Sequence, residues 1–230
     1  RTVLTHGWVV DGEGKAMHKS LGNSVAPEEM ISKYGADLVR LWVASSDYQV
    51  DVRASDAIFK QLSDAYRKIR NTARFLLADL YDFDPDTDAL PLSELTDLDK
   101  WAVAGMNELV RDARAAYDAY DFHTIYHDVN NFCTVELSKL YIDITKDRVY
   151  AEGAASAARR SAQTAMYDII HTLTRLIAPL LAFTAEEIWQ AMPHRAGDVK
   201  ESVFLNDLPA YDEALAFPEV RGRYEKLFRL

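Results

Sequence analysis

The chain has 230 residues, 49% hydrophobic and 27% charged, with a formal net charge of −10 at pH 7, which is typical of a globular protein. Its single cysteine, Cys133, excludes an internal disulfide framework and favours a reducing cytoplasm. No segment approaches the roughly 18 consecutive apolar residues that a membrane span requires, and the start on Arg1 without a targeting signal suggests a piece of a longer cytoplasmic protein.

The first fifty residues predict a small mixed α/β segment. Val3–Val10 alternates loosely between apolar and polar residues and precedes a turn with two glycines, so we predict a short hairpin. A polar, glycine-containing loop over residues 16–23 follows. Pro27 at a first helical position opens one short helix, Gly35 ends it, and a second short helix runs to about Ala44.

The clearest helix is predicted to begin after the capping residue Ser55 and to run from about Asp56 to Leu80. On a helical wheel, one set of apolar residues lies within about 40° of Ile69, and these residues are Ile58, Leu62, Ala65, Ala73, Leu76 and Leu80. The opposite side carries Arg67, Arg70, Asn71 and Arg74. One face is therefore predicted to pack, and the other to present three guanidinium groups.

The rest of the chain predicts further helices joined by short connections. In chain order we expect a surface connection over Asp82–Leu95, helices over about Asp99–Ala119, Phe122–Val149, Ala154–Leu176 and Thr184–Met192, a break at Pro179, an extended piece over Ser202–Leu208, and a helix from Pro218 to Leu230. The predicted fold class is mainly α, an antiparallel helix bundle preceded by a small α/β piece.

The most informative stretch is residues 15–23, called the signature loop below. Residues 19–23, Lys-Ser-Leu-Gly-Asn, together with Met17 match the extended KMSKS motif, KMSKSLGN, of class I aminoacyl-tRNA synthetases. Ala16 stands where that motif has its first lysine, and His18 stands where it has serine. The role of the motif's first lysine is therefore not assigned to Ala16.

The resemblance to class I synthetases runs from Thr5 to about Leu208. Over this range the sequence is most similar to the isoleucine-specific branch. The segments that carry it beyond the signature loop are residues 6–14, 34–48, 66–77, 159–164 and 183–189. It implies that residues 1–50 form the end of the catalytic core, and that residues 51–230 form an anticodon-binding domain truncated at its C-terminal end. The alternatives are the valine-specific branch, which residues 41–48 argue against, and a stand-alone helical RNA-binding module without catalysis.

The resemblance implies an enzyme that activates isoleucine with ATP and Mg²⁺ and transfers it to tRNA(Ile) in the cytoplasm, with neither a membrane nor DNA as partner. It assigns the catalytic role to Lys19, and contacts with ATP to Met17, His18, Lys19 and Ser20. A lysine on a mobile loop can stabilise the charge that develops on the departing pyrophosphate. The family's His-x-Gly-His signature does not occur in these 230 residues, so we expect the chain alone to be inactive and to hold no cofactor.

The candidate tRNA-binding residues lie on one helix, and they are Arg67, Lys68, Arg70, Asn71 and Arg74. Residues 1–74 contain 11 Lys and Arg against 9 Asp and Glu, whereas residues 75–230 contain 15 against 27. The basic surplus is therefore local, and guanidinium groups suit phosphate oxygens. The alternative is a solvated face whose arginines pair with Asp64 or with carboxylates of a neighbouring helix.

No metal site is predicted. His123 and His127 lie four residues apart and could share one helix face, but the sequence offers them no third ligand. We interpret them as a solvated or hydrogen-bonded pair, and Cys133 as a small core residue.

Overall fold

The computed structural model describes residues 2–228 and begins with the small α/β piece. Strand β1 (Val9–Val10) pairs in parallel with strand β2 (Val52–Arg53). Helices α1 (Pro27–Tyr34) and α2 (Ala36–Ala44) lie between them in the chain. Parallel strands need a long crossover connection, and the signature loop with these two helices supplies it.

The ends of the first helices follow from single residues. Pro27 occupies the first turn of α1, where a missing N–H has no cost. Gly35 ends α1 with a φ of 86°, a left-handed value that favours glycine. Helix α3 (Asp56–Ala78) begins where the Ser55 hydroxyl accepts the N–H of Ile58 at 3.4 Å. These predictions are confirmed.

The remaining helices of the described residues form a bundle with α3. They are α4 (Asp97–Asp118), α5 (Phe122–Asn131), α6 (Ile142–Ala151), α7 (Ala157–Ile177), α8 (Ala182–Ala191) and α9 (Pro218–Phe228). Helix α7 is central and packs against α3, α4, α6 and α8. Its residues Tyr167, Ile169 and Ile170 are fully buried, as is Trp189 of α8. The predicted fold class is confirmed, and Pro179 lies in the break between α7 and α8.

Between α5 and α6 the helix continues as a wider π-helical segment, Phe132–Tyr141. The carbonyl of Cys133 accepts hydroxyl hydrogen bonds from Ser138 at 2.8 Å and from Thr72 of α3 at 3.3 Å. Side chains that insert into the regular backbone ladder are a known cause of such distortions. The sequence predicted one continuous helix here, which is correct in extent but not in its winding.

The carboxylate of Asp99 joins four segments of the bundle from a fully buried position. It accepts two hydrogen bonds from the Arg148 guanidinium, at 2.8 and 2.9 Å, one from Tyr141 at 2.7 Å and one from Ser161 at 2.5 Å. Thr96 adds a further bond at 2.6 Å. A buried charge with this many donors is well compensated, so the network fixes the start of α4 against α6 and α7.

Two local predictions are wrong. The hairpin at Val3–Val10 is reduced to one antiparallel bridge between Val10 and Ala16, because Val9 and Val10 pair with β2 instead. Ser202–Leu208 is not extended, since Val203–Leu205 forms a 3₁₀ turn. The Ser202 hydroxyl caps this turn by accepting the N–H of Phe204.

The helix predicted to Leu230 is seen to Phe228, and residues 229–230 lie outside the described part. No helix within residues 2–228 has the length and apolar character needed to cross a membrane.

Candidate functional site

The signature loop is closed at its base by the side chain of Asn23. The Asn23 carbonyl accepts the N–H of His18 at 2.9 Å, and its amide donates to Asp11 at 2.8 Å and to the carbonyl of Ala16 at 3.1 Å. Asp11 also accepts the N–H of Lys15 at 2.9 Å. The hydrogen bond from Asn23, followed by those from the backbone, lowers the pKa of Asp11 below its ordinary value. The base of the loop is therefore held by an ionised carboxylate.

At the tip of the loop, Lys19–Leu21 form a 3₁₀ turn. Gly22 ends this turn with a φ of 66°, and its N–H donates to the carbonyl of Lys19 at 3.2 Å. The side chains of Lys19 and Ser20 are exposed. Among residues 2–228, no carboxylate lies within 4.0 Å of the Lys19 ammonium group. Its charge is thus available to an incoming anion.

The neighbouring residues of the loop are placed differently. The Lys15 ammonium pairs with Glu13 at 2.7 Å, with both side chains at least 70% exposed. Met17 is half-buried and packs against the apolar core, whereas His18 is exposed. Of the four residues predicted to contact ATP, three present their side chains to solvent, and the fourth, Met17, also packs against the core.

The five predicted tRNA-binding residues of α3 are all exposed on one side of the helix. Arg67 pairs with Asp64 at 3.3 Å, and Arg70 pairs with Glu187 of α8 at 2.6 Å. The bond to Glu187 raises the pKa of Arg70 above its ordinary value. Within the described part of the chain, Lys68 and Arg74 have no carboxylate within 4.0 Å.

A groove of about 330 Å³ lies between α3 and α8 on this side of the bundle. Arg70, Arg74 and Glu187 line its polar rim. The remaining lining residues are apolar, and they are Ala73, Leu77, Ile188 and Ala191. The basic surface is therefore partly neutralised by its own carboxylates, as the solvated alternative predicted, while two cations remain available for phosphate oxygens.

The histidine pair and the cysteine contribute no metal-binding cluster. The Nε2 atoms of His123 and His127 lie 3.0 Å apart, and the two rings contact edge to face. Burial raises the pKa of the Cys133 thiol to about 12, so it stays protonated. No group of three or more His, Cys, Asp or Glu side chains is placed to hold a metal ion among residues 2–228.

Sequence reasoning missed a set of contacts between α2 and the turn that joins α7 to α8. Asp37 and Arg40 of α2 bind backbone groups of this turn, about 140 residues farther along the chain. The sequence does show an Asp and an Arg three residues apart on one helix, which could have indicated a polar contact. The neighbouring sequence gives no indication of the segment that they contact.

Two protein families match the chain. The family described as "Anticodon-binding domain of tRNA ligase" matches residues 99–230, and the family described as "tRNA synthetases class I (I, L, M and V)" matches residues 1–55. The chain is 54% identical over 228 residues to the isoleucine–tRNA ligase of Caldanaerobacter subterraneus subsp. tengcongensis. It is 52% identical over 230 residues to that of Syntrophotalea carbinolica. These alignments cover 99% and 100% of the chain but 24% of each relative, so the chain spans about a quarter of their length.

Solved structures share the fold at low sequence identity. The LeuRS of Agrobacterium radiobacter K84, in a ternary complex with tRNA and LeuAMS, matches 92% of this chain and 24% of its own, with a TM-score of 0.65 and 18% identity. The methionyl-tRNA synthetase of Mycobacterium tuberculosis with methionyl-adenylate matches 80% of this chain and 37% of its own, with a TM-score of 0.66 and 22% identity.

Proposed function

The chain belongs to the family of anticodon-binding domains of tRNA ligases, and on this premise we propose that it is part of an isoleucine–tRNA ligase. The observation that carries the proposal is the identity of 52–54% to isoleucine–tRNA ligases over nearly all of the chain. We assign residues 1–50 to the end of the catalytic core and residues 51–230 to the anticodon-binding domain. The complete protein is proposed to act in the cytoplasm.

The proposed reaction forms isoleucyl-adenylate and pyrophosphate from isoleucine and ATP, and then transfers the isoleucyl group to a terminal hydroxyl of tRNA(Ile) with release of AMP. The isoleucine carboxylate attacks the α-phosphorus of ATP, the bond to the bridging oxygen breaks, and pyrophosphate leaves. Negative charge grows on the bridging, β and γ oxygens during this step. A cation that meets those oxygens in the transition state lowers the barrier more than it tightens ATP binding.

Lys19 is the residue we propose for that contact. Its ammonium group is exposed at the tip of the signature loop, whereas Lys15 is paired with Glu13. The Asn23 bonds hold the base of the loop, so that the tip can approach the phosphates without unfolding the rest. Ser20 and the exposed His18 are proposed to contact the phosphates beside it. Mg²⁺ is proposed to arrive with the nucleotide.

The α3 surface is proposed to bind the anticodon arm of the tRNA. Lys68 and Arg74 offer cations without a carboxylate neighbour among the described residues. Arg67 and Arg70 become available when they exchange Asp64 and Glu187 for phosphate oxygens. Asn71 lies among these residues and can donate hydrogen bonds to phosphate or base edges.

Isoleucine-dependent exchange of pyrophosphate into ATP, measured on the complete protein, tests the proposal. We expect turnover with isoleucine well above that with valine, together with charging of tRNA(Ile). A preference for valine and tRNA(Val) would assign the chain to the valine-specific branch. Retained tRNA binding with no exchange for either amino acid would identify an RNA-binding module without catalysis.

A further inference from the structure

The turn between α7 and α8, with the start of α8, makes hydrogen bonds to a helix outside this helical hairpin. The residue before α8, Leu181, supplies no side-chain cap to that helix. The first N–H groups of a helix have no partners inside it. Those of α8 are therefore completed by polar groups of another element.

Helix α2 supplies the anion for the start of α8. The Asp37 carboxylate accepts the N–H of Phe183 at 3.2 Å, the N–H of Thr184 at 2.6 Å and the hydroxyl of Thr184 at 2.6 Å. Asp37 is 6% exposed, so water competes little for these bonds. The Tyr66 hydroxyl of α3 lies 2.8 Å from that of Thr184 and extends the cluster. A carboxylate at a helix N-terminus is also favoured by the helix dipole.

The same helix supplies a cation for the turn that follows α7. Arg40 Nε donates to the carbonyl of Leu180 at 3.0 Å, and its Nη2 donates to the carbonyl of Pro179 at 2.7 Å. Both carbonyls lie in the turn just beyond Ile177, where α7 ends. One turn of α2 thus places a carboxylate on the start of α8 and a guanidinium on the turn before it, a pairing called the α2 clamp below.

Helix α2 is also firmly attached to the part of the molecule that carries the signature loop. It follows α1 directly, and α1 follows the loop. The indole N–H of Trp42 donates to the carbonyl of Arg53 at 3.1 Å, which fixes α2 to strand β2. The α2 clamp therefore connects the loop-bearing piece to the central hairpin of the bundle through buried bonds of Asp37 and exposed bonds of Arg40.

We propose that Asp37 and Arg40 are positioning residues for the charging of tRNA, because they set the orientation of the bundle relative to the signature loop. This inference rests on the proposed function. Transfer to tRNA requires the bundle and the catalytic centre to hold one RNA at two distant points, whereas adenylate formation uses small substrates alone. A misplacement of about 1 Å in such an arrangement can lower a rate by about 10²-fold.

The test uses the complete ligase and the substitution Asp37→Asn, which keeps the shape of the side chain but removes its charge. We expect kcat for tRNA charging to fall by about 10- to 10²-fold, while pyrophosphate exchange and the KM for tRNA stay within about twofold of wild type. Arg40→Met should act in the same direction, with a smaller effect because Arg40 is exposed.

Asp121→Asn is the matched control. Asp121 accepts the N–H of Thr124 at 3.2 Å and its hydroxyl at 2.7 Å, which is the same cap chemistry inside a single helix. It should lower stability without separating charging from exchange. If Asp37→Asn does not fold, Thr184→Val, which removes the hydroxyl and its bonds to Asp37 and Tyr66, is compared with Thr184→Ser, which keeps the hydroxyl and should restore charging.

The outcomes are distinguishable. Equal losses in exchange and charging, or no loss in either, would overturn the positioning role of the α2 clamp. A wild-type protein that performs neither reaction would instead overturn the proposed function. Loss of charging alone, at unchanged KM for tRNA, is the result that the positioning role requires.

Discussion

Substituting Glu187 with Gln releases the Arg70 guanidinium from the carboxylate that binds it at 2.6 Å, and we expect tRNA to bind more tightly as a result. The side chains of this pair are 49% and 63% exposed. Exposed pairs of this kind are worth about 0.2–1 kcal/mol, so removing the competition should strengthen binding by about 1.4- to 5-fold. Arg70→Ala should have the opposite effect.

Salt dependence separates a phosphate contact from a general change in charge. The slope of log K against log salt is negative, and each lost phosphate contact lowers its magnitude by about 0.7–0.9. We therefore expect Arg67→Ala, Arg70→Ala and Arg74→Ala each to reduce the slope by that amount. Fluorescence anisotropy with labelled tRNA(Ile), across a series of salt concentrations, measures both the affinity and the slope.

Asp143→Asn is the matched control for Glu187→Gln, because it removes the same charge from a similar pair. Asp143 and Lys146 lie 2.8 Å apart and are 64% and 49% exposed, but they are on α6. Equal gains in affinity from both substitutions would mean that overall charge is responsible. No gain from Glu187→Gln, with no loss from the three arginine variants, would refute tRNA binding at this surface.

Three further predictions concern the signature loop and the bundle. Lys19→Ala in the complete enzyme should lower kcat for adenylate formation by about 10²–10³-fold with little change in ATP affinity, whereas Lys15→Ala should have a small effect, as presteady-state kinetics can measure. Arg148→Met should lower the free energy of unfolding by about 3–5 kcal/mol, measured with denaturant, because it leaves Asp99 buried without its cation. Burial raises the pKa of Asp79 to about 6 from 3.8, so folding stability falls as pH rises from about 4 through 6; at pH 7, but not at pH 4, Asp79→Asn should be more stable than wild type by about 3 kcal/mol.

Each of these expectations has an outcome that contradicts it. A wild-type rate for Lys19→Ala together with a slow Lys15→Ala would make the earlier lysine the catalytic one. Lys146→Met removes the cation of an exposed pair and should change stability by less than about 0.5 kcal/mol; an effect equal to that of Arg148→Met would refute the role of burial. The same stability difference at pH 4 and pH 7 would refute the titration of Asp79.

Features set by neighbouring residues could be predicted from the sequence. Pro27 and Gly35 bound α1 because their own backbone preferences decide where a helix starts and stops. Ser55 caps α3 because a short hydroxyl side chain can reach an N–H three residues on. The ion pairs of Arg67 with Asp64, and of Arg70 with a carboxylate of another helix, also follow from a charged face that meets solvent.

Features set by distant residues could not be predicted. Val9 and Val10 pair with β2, which lies more than forty residues away, and their own pattern is equally compatible with a hairpin. Asp37 accepts a hydrogen bond from Thr184, which lies 147 residues farther along the chain, and only the packed bundle brings the two together. At the candidate site, the motif led to the prediction for Lys19, but the hydrogen bond between Asn23 and Asp11 depends on the closed shape of the loop.

The π-helical segment Phe132–Tyr141 also bears on how the chain can change in length. Hydrogen bonds from each residue to the fifth one along wind roughly one more residue into a turn than α-helical bonds do. Loss of one residue inside this segment can therefore be absorbed by tightening a turn, which leaves α5 and α6 on their present faces. The same deletion within α6 would rotate the residues after it by about 100° and turn Arg148 away from Asp99. The segment is thus the place in this helix where a shorter homologous sequence could lose a residue and keep the bundle intact.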